Sequence, residues 1–265
     1  MSQSARPAIP ALALAARAWF ASFAVGQLAF AVFILAFFTP RLWSGDYLAL
    51  NDKPHITGYV PGDTMGNAQL LHHVYFGAVV TLLGGLQFLT SIRRRWPAVH
   101  RWIGRSFMVT ALIATLSGFY LTWVRGSQLN AASTWSISMN GALILGFVVL
   151  AWWTACQRDF AAHRRHATRA FLLVNGVLFL RIGLMFAGLV LTPLGIQVDY
   201  SGWVFIGVSF LSWLGPLLMY ELVLAAERSA NRVVRHGVSA TLALLAFATL
   251  AGAVAAILFM WWPRL

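Results

Sequence analysis

Apolar residues dominate seven stretches, at about 18–39, 70–92, 102–124, 135–156, 170–192, 202–224 and 238–262, and arginine, glycine, proline and asparagine gather between them. Each stretch reaches the ~20 apolar residues a helix needs to cross the hydrocarbon of a bilayer. With no water in that layer, backbone groups must be satisfied within their own segment, so the stretches predict helices. The pattern predicts an all-α fold over residues 1–265: one polytopic domain, a seven-helix transmembrane bundle. The run Trp19–Phe38 is longer than a signal-peptide core and reads as a retained first helix. The longest connection, 40–69, is rich in Gly, Pro, Asp and Asn, which favours turns or a short cap over an eighth crossing.

Charge then orients the bundle. Arg6 and Arg17 precede the first crossing; Arg93, Arg94, Arg95, Arg101 and Arg105 join the second to the third; Arg158, Arg164, Arg165 and Arg169 join the fourth to the fifth; Arg228, Arg232 and Arg235 join the sixth to the seventh. Arg41, Lys53, Arg125 and Arg264 fall on the other side, and Arg181 within a crossing. Short basic connections mark the cytoplasmic face, which predicts a cytoplasmic N-terminus, a periplasmic C-terminus and an external 40–69 loop. Tryptophan agrees, since Trp213 alone falls deep within a crossing and the other tryptophans fall near crossing ends, where the indole ring is apolar and its N–H wet.

Composition confirms the environment and narrows the partners. A chain with 60% hydrophobic and 10% charged residues turns its apolar surface to lipid. The net charge of +12 sits in short loops, so anionic phospholipid headgroups are its nearer partner and nucleic acid is not. Lone Cys156 excludes an intramolecular disulfide.

The candidate chemistry lies with histidine and arginine. Arg95–Arg101 and Arg158–Arg164 both read R-x-x-x-x-H-R, placing His100 and His163 at equivalent points of two hairpins. Two imidazoles on different helices are what bis-histidine haem b requires, and Arg101, Arg105, Arg164 and Arg169 are candidates for its propionates. The competing reading is that these residues meet phospholipid phosphate. His73, at the start of the second crossing, is followed by Gly77, Gly84 and Gln87, a smooth helix face that a flat ligand or another helix can approach. Arg181, about 18 Å into the fifth crossing at ~1.5 Å per residue, is too deep to snorkel and requires a partner or a watery cavity. Gln27 lies at similar depth, and an anion, a quinone carbonyl or a haem propionate are the other candidate partners. His163 with His166, and His55, Asp63, His72 and His73 together, are weaker metal-ligand combinations. G-x-S-x-G, H-E-x-x-H, G-x-G-x-x-G and P-loop strings are absent from the sequence, which removes sequence support for hydrolase, zincin and nucleotide-binding readings.

His73-x-x-x-Gly77, Gly84-x-x-Gln87-Phe88, His100-Arg101-x-x-Gly104-Arg105, His163-Arg164-Arg165 and Arg169 together resemble a bacterial family of predicted membrane proteins known as domain of unknown function 2306. The resemblance covers the second to the fifth crossing and implies a multi-span fold in the bacterial inner membrane. It singles out His73, His100, His163, Arg169 and Arg181, and brings no activity. In the family a tryptophan usually stands where His166 does. A looser likeness, from His73 to Gly104, is to bis-histidine transmembrane b-type cytochromes, although His72 adjoins His73 on the same helix and cannot stand trans to it across iron.

These readings converge on a haem-b-binding electron-transfer or quinone-reactive membrane protein, a possible oxidoreductase component with an unidentified redox partner. His100 and His163 are its expected axial ligands, with His73, Arg105, Arg169 and Arg181 as cofactor or quinone contacts. The alternative is a non-redox transporter or a lipid-headgroup-binding scaffold. The topology is testable by reporter fusions: those after Arg165 are expected in the cytoplasm and those near Lys53 or at Leu265 in the periplasm. The reverse pattern would invert the orientation.

Overall fold

The computed structural model describes residues 10–52, 57–127 and 130–265, so Arg6, Lys53 and His55 lie outside the described residues. Its helices are α1 (Pro10–Ser44), α2 (Thr64–Leu86), the short α3 (Thr90–Arg95), α4 (Pro97–Phe119), α5 (Ala131–Cys156), α6 (Phe160–Val174), α7 (Gly176–Leu191), α8 (Trp203–Arg228) and α9 (Arg232–Ala255). A π-helical turn prolongs α4 over Tyr120–Val124 and another prolongs α9 over Ala256–Trp261. Among the described residues seven segments are long and apolar enough to cross a membrane, in the same chain order as the seven expected stretches.

The bounds shift where local chemistry overrides hydropathy. The second crossing begins at Thr64 because the Asp63 side chain caps the helix, accepting the Gly66 N–H at 2.8 Å. It ends at Leu86, and the arginines behind it form the separate turn α3.

The fifth crossing, expected as one helix over 170–192, is two helices that meet at Asn175. There the Asn175 side-chain N–H donates to the Phe171 carbonyl at 2.8 Å, competing with the helical backbone, and Gly176 follows with weak helical preference. Gly176 also admits its neighbours, since a Cβ there would stand 2.8 Å from Asn140 Nδ2 and 3.2 Å from Trp213 Cβ.

The two halves have different neighbours. Helix α6 packs along α5 and touches α8 and α2, whereas α7 packs on α8 and α9. Around them α1 pairs with α9 and α2 with α4. Around the break the interior is filled by aromatic rings: Phe23 stacks on Phe179 of α7 at 4.6 Å and meets Phe171 of α6 edge-on at 5.7 Å, and Phe88 lies 4.8 Å from Phe171. At the break itself Gln27 Nε2 donates to the Thr81 carbonyl and to Asn175 Oδ1, both at 3.2 Å. Asn140 donates to the Leu173 carbonyl at 3.1 Å, and Trp213, the one deep tryptophan, donates to Ser136 Oγ at 2.9 Å.

The two ends of the bundle differ. One, hereafter the basic end, carries α3, the starts of α4 and α6, and the α8–α9 connection. The other is closed by a folded cap with a 3-10 turn at Leu48–Asn51, as the composition of 40–69 suggested. Asn67 exchanges two hydrogen bonds with Val60, and Arg125 binds Asp63 at 2.8 Å and Asn67 at 2.7 Å. A cavity of about 310 Å³ lies beneath the cap, lined by Leu42, Tyr47, Leu50, Tyr59, Asn67 and Leu71.

Removing Gln27 leaves Asn175 Oδ1 buried without its donor, so Gln27→Leu is expected to lower stability by about 1–2 kcal/mol. Thermal unfolding in detergent measures this. Adding Asn175→Ala to that variant should cost less than the two single changes summed, because both act on one bond.

Candidate functional site

Histidine and arginine gather in two places, one on each side of the break. The first is built on α2, whose inward stripe runs Leu70, His73, Gly77, Thr81, Gly84, a 3–4–4–3 spacing that keeps one helix face. Leu70, Thr81 and Gly84 on this stripe are buried. Because α2 starts at Thr64, His73 stands nine residues inside it, about 14 Å from that end at ~1.5 Å per residue, and not at its mouth as expected.

His73 is held on two sides. Its Nδ1 lies 2.8 Å from the Ala114 carbonyl of α4, which can only accept, so the proton is on Nδ1 and Nε2 keeps its lone pair. Its ring edge lies over Gly118, where a Cβ would stand 3.1 Å from Cε1. Below it the stripe changes character within two turns. A Cβ on Gly84 would stand 2.6 Å from Phe171 of α6, but a Cβ on Gly77 would meet nothing within 4 Å. Phe171 thus fills the contact at Gly84, whereas Gly77, two turns nearer the cap, has no such neighbour.

Arg181 of α7 stands at matching depth, ten residues before Leu191, about 15 Å at ~1.5 Å per residue. Its Nη1 donates to its own Val177 carbonyl at 2.9 Å, and its guanidinium lies 5.0 Å from the centre of the Phe30 ring. Its charge reaches His73 and Tyr200. Gln27, the expected partner, instead serves Thr81 and Asn175 at the break. Among the described residues the ion pairs are Arg125–Asp63 and Arg169–Glu221, and Arg181 belongs to neither. A ring contact of about 1–2 kcal/mol offsets only part of the cost of a guanidinium in a membrane interior.

The second gathering is at the basic end. The repeated string does the same work twice, setting His100 and His163 in the first turn of α4 and α6, three residues after Pro97 and Phe160. The fold brings them within electrostatic reach of each other, with His166 beside His163. His163 Nδ1 lies 2.8 Å from the Ala151 carbonyl, so its Nε2 is free. His100 differs: its Nδ1 is buried without a partner, and so is that of His166, whose ring stacks on Phe147 at 5.9 Å.

This asymmetry bears on the haem expectation. Axial ligation needs both Nε2 lone pairs, with each Nδ1–H held by an acceptor. His163 meets that need; His100 would have to bury an N–H with no acceptor, and buried N–H groups without partners are rare. Three of the expected cofactor contacts are placed elsewhere, while Arg101 and Arg164 stay beside the two histidines. Arg169 is committed to Glu221 by two bonds of 2.6 and 3.0 Å, Arg105 is exposed and lies over Trp102 of its own helix, and Arg181 is on the other side of the break. The expected cofactor contacts are thus divided: His73 and Arg181 form one group, His100 and His163 another. Among the described residues no three His, Cys, Asp or Glu side chains assemble as a metal site, so Asp63, His72 and His73, the described members of the expected external set, do not form one.

Phe30 and Gly118, both in contact with this chemistry, carried no sequence signal beyond helical spacing from Gln27 and Ala114.

The family model described as predicted membrane protein (DUF2306) matches residues 70–224, which contain His73, His100, His163, Arg169 and Arg181 but neither α1 nor α9. No curated protein and no solved structure matches the chain.

The Arg169–Glu221 pair is expected to be structural. With the Glu221 side chain 43% exposed, solvent screening limits it to about 1 kcal/mol. Arg169→Ala, Glu221→Ala and the double variant should then unfold at nearly the same temperature.

Proposed function

Since the chain belongs to the predicted membrane protein family DUF2306, a description that fixes the membrane and leaves the activity open, we propose from the geometry that it binds a small amphipathic molecule by an anionic head. The head would lie between α1, α2, α4 and α7, against Arg181 and His73, with the tail along Gly77. Arg181 carries this reading: a guanidinium about 15 Å along an apolar helix at ~1.5 Å per residue, bonded to one carbonyl of its own helix and paired with no acid among the described residues. A charge so placed is retained at a cost of several kcal/mol, which an anionic ligand would offset.

His73 adds a complementary function. With Nδ1–H held by Ala114, its Nε2 accepts a proton or a hydroxyl hydrogen, so the pair can take a carboxylate or its conjugate acid. The interrupted helix favours a carrier over a scaffold, because broken helices recur at transporter sites. With the basic end in the cytoplasm, the head would sit in the outer half of a bacterial inner membrane.

Thermal stabilisation of purified protein by laurate tests the proposal. A ligand that binds only the folded state raises the unfolding temperature, by ~2.7 kcal/mol at one hundred times Kd. Wild type should be stabilised, whereas Arg181→Leu should stay folded, be as stable or more so without ligand, and lose the response. An undiminished response in Arg181→Leu would refute the proposal. The preparation is expected to be colourless; a reducible b-type spectrum abolished by both His100→Ala and His163→Ala would restore the haem reading.

A further inference from the structure

The histidines of the basic end have no part in the site proposed above, yet their hydrogen-bonding state is well defined. His100 and His166 each bury Nδ1 with no partner. Burying a bare lone pair there is easier than burying an orphan N–H, so both rings carry their proton on Nε2 and present it as a donor. His163 is the opposite tautomer, with Nδ1–H given to the Ala151 carbonyl and Nε2 left as an acceptor. Three half-buried imidazoles on α4 and α6 thus offer two donors and one acceptor. Arg93 and Arg101 act on His100, and on His166 Arg165 and the Glu221-paired Arg169 outweigh Asp159, so the group lies in a positive field.

That combination is selective. A halide has no use for the His163 lone pair, and at this half-exposed, arginine-rich end, unlike at His73, a carboxyl group is fully ionised at neutral pH and has no proton to give it. A phosphodiester bears a charge but no ionisable P–OH. A phosphate monoester, whose second ionisation lies near pH 6, accepts through two oxygens and donates through its third when singly protonated. When doubly ionised it can leave that proton on His163, so the donor and acceptor pattern is met in either state.

We infer that the basic end of the bundle binds a phosphate monoester through His100, His163 and His166, with the surrounding arginines supplying the field. The group could belong to a lipid, as in phosphatidic acid, or to a soluble phosphate. The site stands apart from the Arg181 site and does not depend on it.

The test uses the full chain in nanodiscs of zwitterionic lipid, with thermal unfolding read after adding phosphatidic acid, phosphatidylglycerol or inorganic phosphate. Stabilisation by phosphatidic acid at least tenfold more potent than by phosphatidylglycerol is expected if the source is lipid. Stabilisation by inorganic phosphate without a phosphatidic acid response assigns a soluble ligand. His100→Ala and His166→Ala, each removing a donor away from the Ala151 contact, should weaken the response at least tenfold, while Arg232→Ala at the start of α9 should not. Equal responses to phosphatidic acid and phosphatidylglycerol, no response to any of the three, or an unweakened response in the His100→Ala/His166→Ala double variant would overturn the inference.

Discussion

Asn175 holds two hydrogen bonds on which the arrangement of the bundle depends. Its side-chain N–H satisfies the Phe171 carbonyl and so ends α6; its side-chain oxygen accepts from Gln27, whose amide also reaches the Thr81 carbonyl of α2. An amide left unsatisfied in an apolar interior costs several kcal/mol, so the break cannot slide along the chain without losing the two contacts Asn175 makes. This asparagine therefore fixes where α6 ends and α7 begins. Phe171 closes the space against Gly84, and two turns away Gly77 faces none of it.

The same break separates the chemistry. Helix α6 carries His163, His166 and Arg169 to the basic end, and α7 carries Arg181 toward the cap. The two groups answer different electrostatic conditions. At the basic end arginines are numerous, and one of them, Arg169, is neutralised by Glu221 at the surface of the bundle. Arg181 is solitary in low dielectric, where a charge acts strongly on whatever approaches it.

The seven crossings were legible in the sequence because hydropathy over ~20 residues outweighs any single residue. The break was not, because one asparagine among apolar neighbours leaves the window average unchanged; the relevant fact, that its side chain bonds both its own helix and Gln27, is tertiary. Asp63 shows the same limit at smaller scale. Its capping bond moves the start of α2 and so the depth of His73. The repeated string correctly signalled that His100 and His163 occupy equivalent positions, but equal strings do not guarantee equal tautomers. Ala151 offers a carbonyl to His163, and nothing does so for the Nδ1 of His100. Arg181 drew notice as an intramembrane charge, whereas its contact with Phe30 required the packing of α1 to be known.

The pairing of α1 with α9 joins the first and last helices of the described chain, with Trp19 donating to Thr249 at 3.1 Å and Phe30 lying 5.5 Å from Trp261. Each face of that seam is completed by residues more than two hundred positions away in sequence. During synthesis α1 enters the membrane long before its partner exists, so its inward face, including Gly26, Gln27 and Phe30, must first be solvated by lipid or by a chaperone. Gln27 in particular waits for Asn175 before its amide is satisfied. Assembly is therefore a closing of the ring by its last member, and a ribosome that stalls before α9 leaves an open bundle with its arginine-bearing interior accessible from the side.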